Sequence, residues 1–252
     1  MEEIAALDSP TFADTRAIAT CSHNSIAGAI CLHPSQFLYP DGRPASFRDI
    51  NWFVGTYGLE SSSTVIVVGD TGIGNYFVAG MLFLLGQSRV VVWRDGVQAM
   101  IESRSGGPGQ ARGMLRSRFF TAPMRDQYIV IDEDVTAFFG DETVRPVEVG
   151  ARFEDLPHND GNPLLYRSES HGTEMLLAND TLHAVAYFAR LLAHDPDTAV
   201  KVHIDGLRQR QPGSFGAPSP GVDRTTVLMA MLGVTFVACI VFVACLARRR
   251  RK

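Results

Sequence analysis

The apolar positions of this chain fall into short continuous runs broken by glycine and aspartate, and the runs predict alternating strands and helices. Residues 65–68 are wholly apolar, too few for a helix, and stop at Gly69-Asp70, which predicts a buried strand. Tyr76, Phe77, Ala79, Met81, Leu82 and Leu85 recur at helical spacing up to Gly86, which predicts a helix. Residues 89–93 then read as a second strand, closed by Asp95-Gly96. Two continuous apolar strands joined through a helix predict a right-handed crossover in a parallel sheet. Upstream, residues 26–32 form a short apolar segment and residues 47–57 a helix ending before Gly58.

The second half repeats the plan more loosely. Residues 147–151 and 175–178 are candidate strands, and residues 182–193 an amphipathic helix capped by Asp180 or Thr181. Residues 199–204 are a strand closed again by Asp-Gly, at Asp205-Gly206. Helix, apolar strand and Asp-Gly therefore occur twice, and an internal duplication accounts for this most simply. Residues 103–113 (SRSGGPGQARG) predict a flexible surface loop, and the Pro/Gly/Ser-rich residues 208–224 a stalk.

The stalk leads to residues 225–247, which contain no charged side chain and are long enough to cross a bilayer as a helix. Five cations, Arg248 to Lys252, follow directly. They hold five of the chain's 23 basic residues and none of its 27 acidic ones, leaving 18 bases against 27 acids, a net charge of −9, in the remainder. An acidic body of this kind argues against a nucleic-acid partner. Residues 225–252 predict instead a contact with membrane lipid, the basic tail meeting anionic head groups. The first residues show neither a basic nor an apolar export segment. The expectation is a tail-anchored, single-pass membrane protein with its soluble region in the cytoplasm, although the positive-inside tendency of the tail points the other way.

Candidate chemistry is sparse. The loop Gly69-Asp70-Thr71-Gly72-Ile73-Gly74-Asn75 joins a strand to a helix N-terminus, a place suited to an anion, yet it contains no Cys, Ser, Lys, Arg or His. It is similar to a phosphate-binding loop, G-x-x-x-x-G-K-S/T, with Gly69 and Gly74 at the glycine positions, but Asn75 and Tyr76 replace the lysine and the hydroxyl that serve the phosphates and magnesium. Of the four cysteines, Cys239 and Cys245 lie in the apolar tail, and Cys21 and Cys31 have no CxxC spacing. They predict neither a disulfide framework nor a zinc site, and read as small buried side chains. The Asp132-Glu133-Asp134 and Asp141-Glu142 clusters read as solvated faces, the histidines are scattered, and Trp93 and Phe119-Phe120 read as core. No metal and no cofactor is expected.

Several segments together resemble the rhodanese-like (sulfurtransferase) family in its tandem form. Asp14-Thr15-Arg16 resembles the family's D-x-R, residues 23–30 its G-H-I-x-G-A-I segment, and residues 89–97 the strand and turn that close a module; Val149-Gly150-Ala151-Arg152 stands in for D-x-R in the second copy. The resemblance implies an α/β fold of two modules with parallel sheets flanked by helices. The modules would be residues 11–104 and 147–207, with residues 105–146 linking them and one C-terminal transmembrane helix following. It also implies a nucleophilic cysteine at the start of each central loop. By position Gly69 stands there in the first loop, and Ala178, followed by Asn179 and Asp180, in the second. Asp70 and Asp180 place negative charge where an anionic donor would sit. The expectation is a pseudoenzyme with no catalytic residue, acting as a membrane-tethered binding or regulatory module. The alternatives are a sulfurtransferase using Cys21 or Cys31, and nucleotide binding through residues 69–75.

Overall fold

The computed structural model describes residues 10–70, 72–132, 134–135, 180–194 and 200–204, with the backbone of residues 144–148, 164–165 and 173–177. Strand β1 (Thr11–Asp14) is followed by helix α1 (Ile18–His23) and two short strands, β2 (Ser25–Ile26) and β3 (Ile30–Cys31). Next come helix α2 (Phe47–Thr56), β4 (Thr64–Val68), helix α3 (Ile73–Leu84), β5 (Arg89–Val92) and helix α4 (Gly96–Ser103). Strands β6 (Gly106–Gly107), β7 (Ile129–Val130), β8 (Val144–Glu148), β9 (Leu164–Leu165) and β10 (Thr173–Leu177) lead to helix α5 (Thr181–His194) and β11 (Val200–His203).

The strands form two main sheets, of order β3-β1-β4-β5-β9 and β7-β11-β10-β8. All pairs are parallel except β5 with β9. The chain is thus a mixed α/β protein with parallel sheets flanked by helices. Each sheet contains a β–α–β crossover between adjacent parallel strands, β4–α3–β5 in the first and β10–α5–β11 in the second. Strand β9 joins the first sheet although it comes from the second half of the chain.

Burial follows the strand period. In β4 every residue is buried, with Val65 and Val67 facing the large core and Ile66 and Val68 a smaller one with Phe12, Trp93 and Met100. Helix α3 has no polar face beyond its first turn, and Phe77 through Leu84 are all essentially inaccessible. Its far side meets α5, where Phe83, Tyr128 and Phe188 form a cluster with ring centroids 5.5–6.1 Å apart. Gly80 sits at this crossing, and a Cβ there would lie 2.7 Å from Val185 Cγ1 and 2.9 Å from the Val185 carbonyl oxygen.

Two expectations are corrected in the first half. Asp95-Gly96 does not merely close a strand; it opens α4, a helix the apolar pattern did not predict because only Val97 and Met100 of it are buried. The glycine-rich residues 103–113 are not a free loop. Strand β6 pairs antiparallel with β2, the Gly109 N–H donates to the Cys21 carbonyl oxygen (2.9 Å), and the Gln110 N–H to that of Ala29 (2.7 Å). Glycine is needed there for proximity: a Cβ on Gly109 would stand 2.5 Å from Cys21 Sγ and 2.8 Å from Cys31 Sγ. The stalk, the apolar residues 225–247 and the basic tail lie outside the described residues.

The crossing of α3 and α5 gives a test. Alanine at an exposed helical glycine gains about 1 kcal/mol, whereas forcing a methyl into a packed contact costs about 1–3 kcal/mol. Gly80→Ala is therefore expected to lower the urea midpoint; an unchanged or raised midpoint would show that α5 is not held against Gly80.

Candidate functional site

Chain direction in the first sheet reverses about β1. From β1 the chain crosses to β3 on one side, then returns to β4 and β5 on the other. In open parallel sheets such a switch point opens a crevice outside the carboxyl ends of the strands, the usual place for a ligand. The register makes those ends level, with Asp14 opposite both Cys31 and Val68. Asp14-Thr15-Arg16 and the Gly69–Asn75 loop are therefore brought together.

What they do there differs from the expectation. The Asp14 carboxylate is inaccessible and accepts from the Arg16 backbone N–H (3.0 Å), from the Arg16 guanidinium (closest 2.7 Å) and from Ser25 Oγ (2.7 Å). Arg16 also donates to the Asn24 carbonyl oxygen at 2.6 Å. The hydrogen bond to Asp14 holds the Arg16 guanidinium above its usual range, with the charge of Asp70 adding to it. This pair is satisfied within itself and fixes the turn after β1; removing either member would leave a buried charge uncompensated.

Thr15 Oγ1 donates to Asn75 Oδ1, and both side chains are buried. The bond runs from the end of β1 to the first turn of α3, across the face of Gly69. A Cβ built on Gly69 would stand 2.2 Å from Thr15 Oγ1 and 2.5 Å from Asn75 Oδ1. The place that the resemblance assigns to a cysteine is thus occupied by a hydrogen bond, and Gly69 is the residue that leaves room for it. Asn75, which stands at the lysine's place in a phosphate-binding loop, is turned inward, so its side chain is not offered to a phosphate. Thr71 lies outside the described residues.

Beyond Gly69 the site opens. Asp70 is exposed, and Gly72, Ile73 and Gly74 are partly exposed. Gly72, at φ +136°, precedes α3 with no side chain capping the helix, and nothing lies within 4 Å of where its Cβ would be. That backbone conformation is one L-residues rarely adopt. The first N–H groups of α3 therefore carry the helix's positive end toward the crevice, and among the described residues no side chain caps them.

In the second sheet, Ala178 and Asn179 lie outside the described residues. Asp180, not Thr181, is the cap of α5: its carboxylate accepts from the His183 backbone N–H (2.8 Å) and lies 2.7 Å from His183 Nδ1. Burial pushes this carboxyl up, but the hydrogen bonds from His183 outweigh it and hold it below the usual range. A second carboxylate–histidine pair, Asp132 Oδ1 to His203 Nε2 at 2.9 Å, stands at the same sheet's carboxyl edge. No local pattern signals it, since the partners are 71 positions apart and meet because β7 and β11 pair with His203 opposite Val130.

Cys21 and Cys31 are also corrected. They are joined in a disulfide, Cα–Cα 5.8 Å, with both residues inaccessible under Gly109. Helix α1 folds back over β3 and brings them together at a separation with no motif signature. Bonded and buried, neither sulfur is a nucleophile, so the alternative of sulfur transfer through these thiols is withdrawn.

No protein-family model and no curated protein matches the chain. Solved structures do. A Cys-to-Ser variant of EanB bound to hercynine matches with TM-score 0.58 and 13% identity over 79% of this chain and 60% of that one. The anaerobic ergothioneine biosynthesis enzyme from Chlorobium limicola, in complex with its natural substrate trimethyl histidine, matches with TM-score 0.58 and 14% identity over 79% and 61%. Wild-type EanB gives TM-score 0.57 at 14% identity. The chain thus spans about 60% of the length of these proteins and shares their fold. The expectation of a tandem rhodanese-like chain is corrected: no family model matches, and these solved structures are of EanB and of the anaerobic ergothioneine biosynthesis enzyme from Chlorobium limicola. The reading as a pseudoenzyme acting only as a binding or regulatory module gives way with it.

The Thr15–Asn75 bond predicts a coupled response. Gly69→Ala is expected to cost about 1–3 kcal/mol by overpacking, and Thr15→Ala a similar amount by leaving the buried Asn75 oxygen unpaired. Since Thr15→Ala also makes room at Gly69, the double variant is expected to lose less than the two losses added, by at least about 0.5 kcal/mol. Strict additivity in urea unfolding would overturn this account of Gly69.

Proposed function

We propose that this chain is an enzyme for a small zwitterionic substrate of the trimethyl-histidine class, held at the carboxyl edge of the first sheet. The observation that carries this reading is a pair of opposite charges on one crevice. The N-terminus of α3, capped by no side chain among the described residues, favours a carboxylate, and exposed Asp70, two residues before Gly72, favours a cation. A betaine presents both. A purely anionic ligand would meet Asp70, and a purely cationic one the end of α3 and Arg16. The fold shared with an enzyme solved with trimethyl histidine supports the same class. Residues 69–75 supply no thiol or amine, so covalent catalysis from this loop is no part of the reading; the loop's task is to bind and orient.

Calorimetric titration of the full chain with hercynine is expected to show saturable binding. Asp70→Asn should weaken it roughly fivefold, the worth of about 1 kcal/mol for an exposed charge pair. Histidine, which lacks the quaternary ammonium, should bind less tightly. No saturable heat with hercynine would refute the assignment.

Residues 225–247 are proposed as a single bilayer span, on their lack of charge, with Arg248–Lys252 against lipid head groups. The Cys21–Cys31 bond favours an oxidising compartment for the folded unit. That agrees with the positive-inside tendency of the tail and runs against a cytoplasmic soluble region. Alkylating intact cells with a maleimide before lysis tests it. Of the four cysteines, only Cys239 and Cys245 should remain free to react after denaturation; modification of all four would return the unit to the cytosol.

A further inference from the structure

Helix α2 and the segment after the glycine-rich strap build a surface of unusual composition. Residues 113–120 run along α2: the Leu115 N–H donates to the Thr56 carbonyl oxygen (2.8 Å), Trp52 Nε1 to that of Arg116 (3.2 Å), and the Phe120 N–H to that of Asn51 (3.0 Å). The sequence pattern predicted Phe119 and Phe120 as core alike. Only Phe120 is buried. Phe119 is 54% exposed, Met114 78% and Trp52 44%. Interleaved with them are the exposed Arg48, one helical turn from Trp52, and the exposed Arg112 and Arg116. These three arginines pair with no carboxylate among the described residues, while Arg118 binds Glu60 at 3.1 Å.

A cluster of unpaired arginines is unexpected on a body whose net charge without the tail is −9. Desolvating three guanidinium groups against another protein would need three matched carboxylates. A bilayer of anionic lipid meets them with mobile phosphates and receives Trp, Phe and Met at the depth such side chains favour. We propose that this face docks flat on an anionic bilayer. It is separate from the substrate crevice. For its nearness to lipid it rests on the span proposed for residues 225–247. The intervening residues 205–224 reach at most about 65 Å when extended, enough to let this face turn to the membrane.

The chain carries its own reporter, because of its two tryptophans only Trp52 is exposed and Trp93 is buried. Full-length protein is reconstituted in vesicles of phosphatidylcholine alone or mixed with phosphatidylglycerol. Flotation with both vesicle types reads the span, and acrylamide quenching of Trp52 reads the face. Quenching is expected to fall about twofold or more in the anionic vesicles and to recover at about 0.5 M salt, where screening is short-ranged. The double variant Arg112→Glu, Arg116→Glu should keep the buried emission of Trp93 and lose the protection. Equal quenching in both vesicle types would overturn the proposal while leaving the span intact. So would protection that persists in the double variant, or protection that appears only as protein concentration rises, the mark of a second copy on this face.

Discussion

Helix α3 must be kept out of water on every side, and the arrangement of the rest follows from that requirement. A helix apolar all round finds burial only between two layers. The first sheet supplies one, through Val65, Val67, Val90 and Val92, and α5 supplies the other, through Ala184, Val185, Phe188 and Ala189. Because α5 belongs to the crossover of the second sheet, burying α3 fastens the two halves of the chain into one core. At Gly80 the two helices stand too close for a side chain, and an extra methyl would force them apart.

The same burial fixes the site. With α3 held behind β4, its N-terminus emerges at the carboxyl edge of the sheet, next to the end of β1. The strand end and the helix start must then be joined across a gap too narrow for a side chain on Gly69. The Thr15–Asn75 bond closes the inner part of that gap and leaves Asp70 exposed and Gly72, Ile73 and Gly74 partly exposed. A loop read from sequence as one that had lost a nucleophile is better described as one whose inner end is structurally filled. Its outer end keeps the helix field, with no side chain among the described residues capping it.

Much of the fold was legible in local pattern. Residues 65–68 and 89–93 are apolar without interruption because both faces of a parallel strand are covered. The helix over residues 76–85 was found for the same reason, and only its first turn, Ile73 to Asn75, was missed, because glycine there disguises the start. The rest depends on contacts that no local pattern encodes. The Cys21–Cys31 bond requires α1 to fold over β3. The strap over it looks like a linker because its glycines, there for close approach, are the residues that also mark free loops. In the candidate site, the apolar run and glycines marked Gly69–Asn75 and the resemblance singled out Asp14-Thr15-Arg16, but neither showed that Asp14 would be consumed by Arg16 and Ser25, nor that Asn75 would turn inward.

Charge distribution connects the crevice with the surface face. In both places arginine or a helix end stands on a body that is otherwise acidic, but the surroundings differ. Arg16 is pinned by Asp14 in a buried pair and is not free to move to a ligand. Arg48, Arg112 and Arg116 stand in solvent beside exposed aromatic and apolar side chains. A pinned cation sets the shape and local field of a site for a small molecule. Long, mobile cations among exposed apolar groups suit a soft partner that adapts to them, because a rigid partner would have to match each one. What distinguishes the sheet edge from the α2 face is how firmly its arginine is held: Arg16 is paired with buried Asp14, whereas Arg48, Arg112 and Arg116 are exposed.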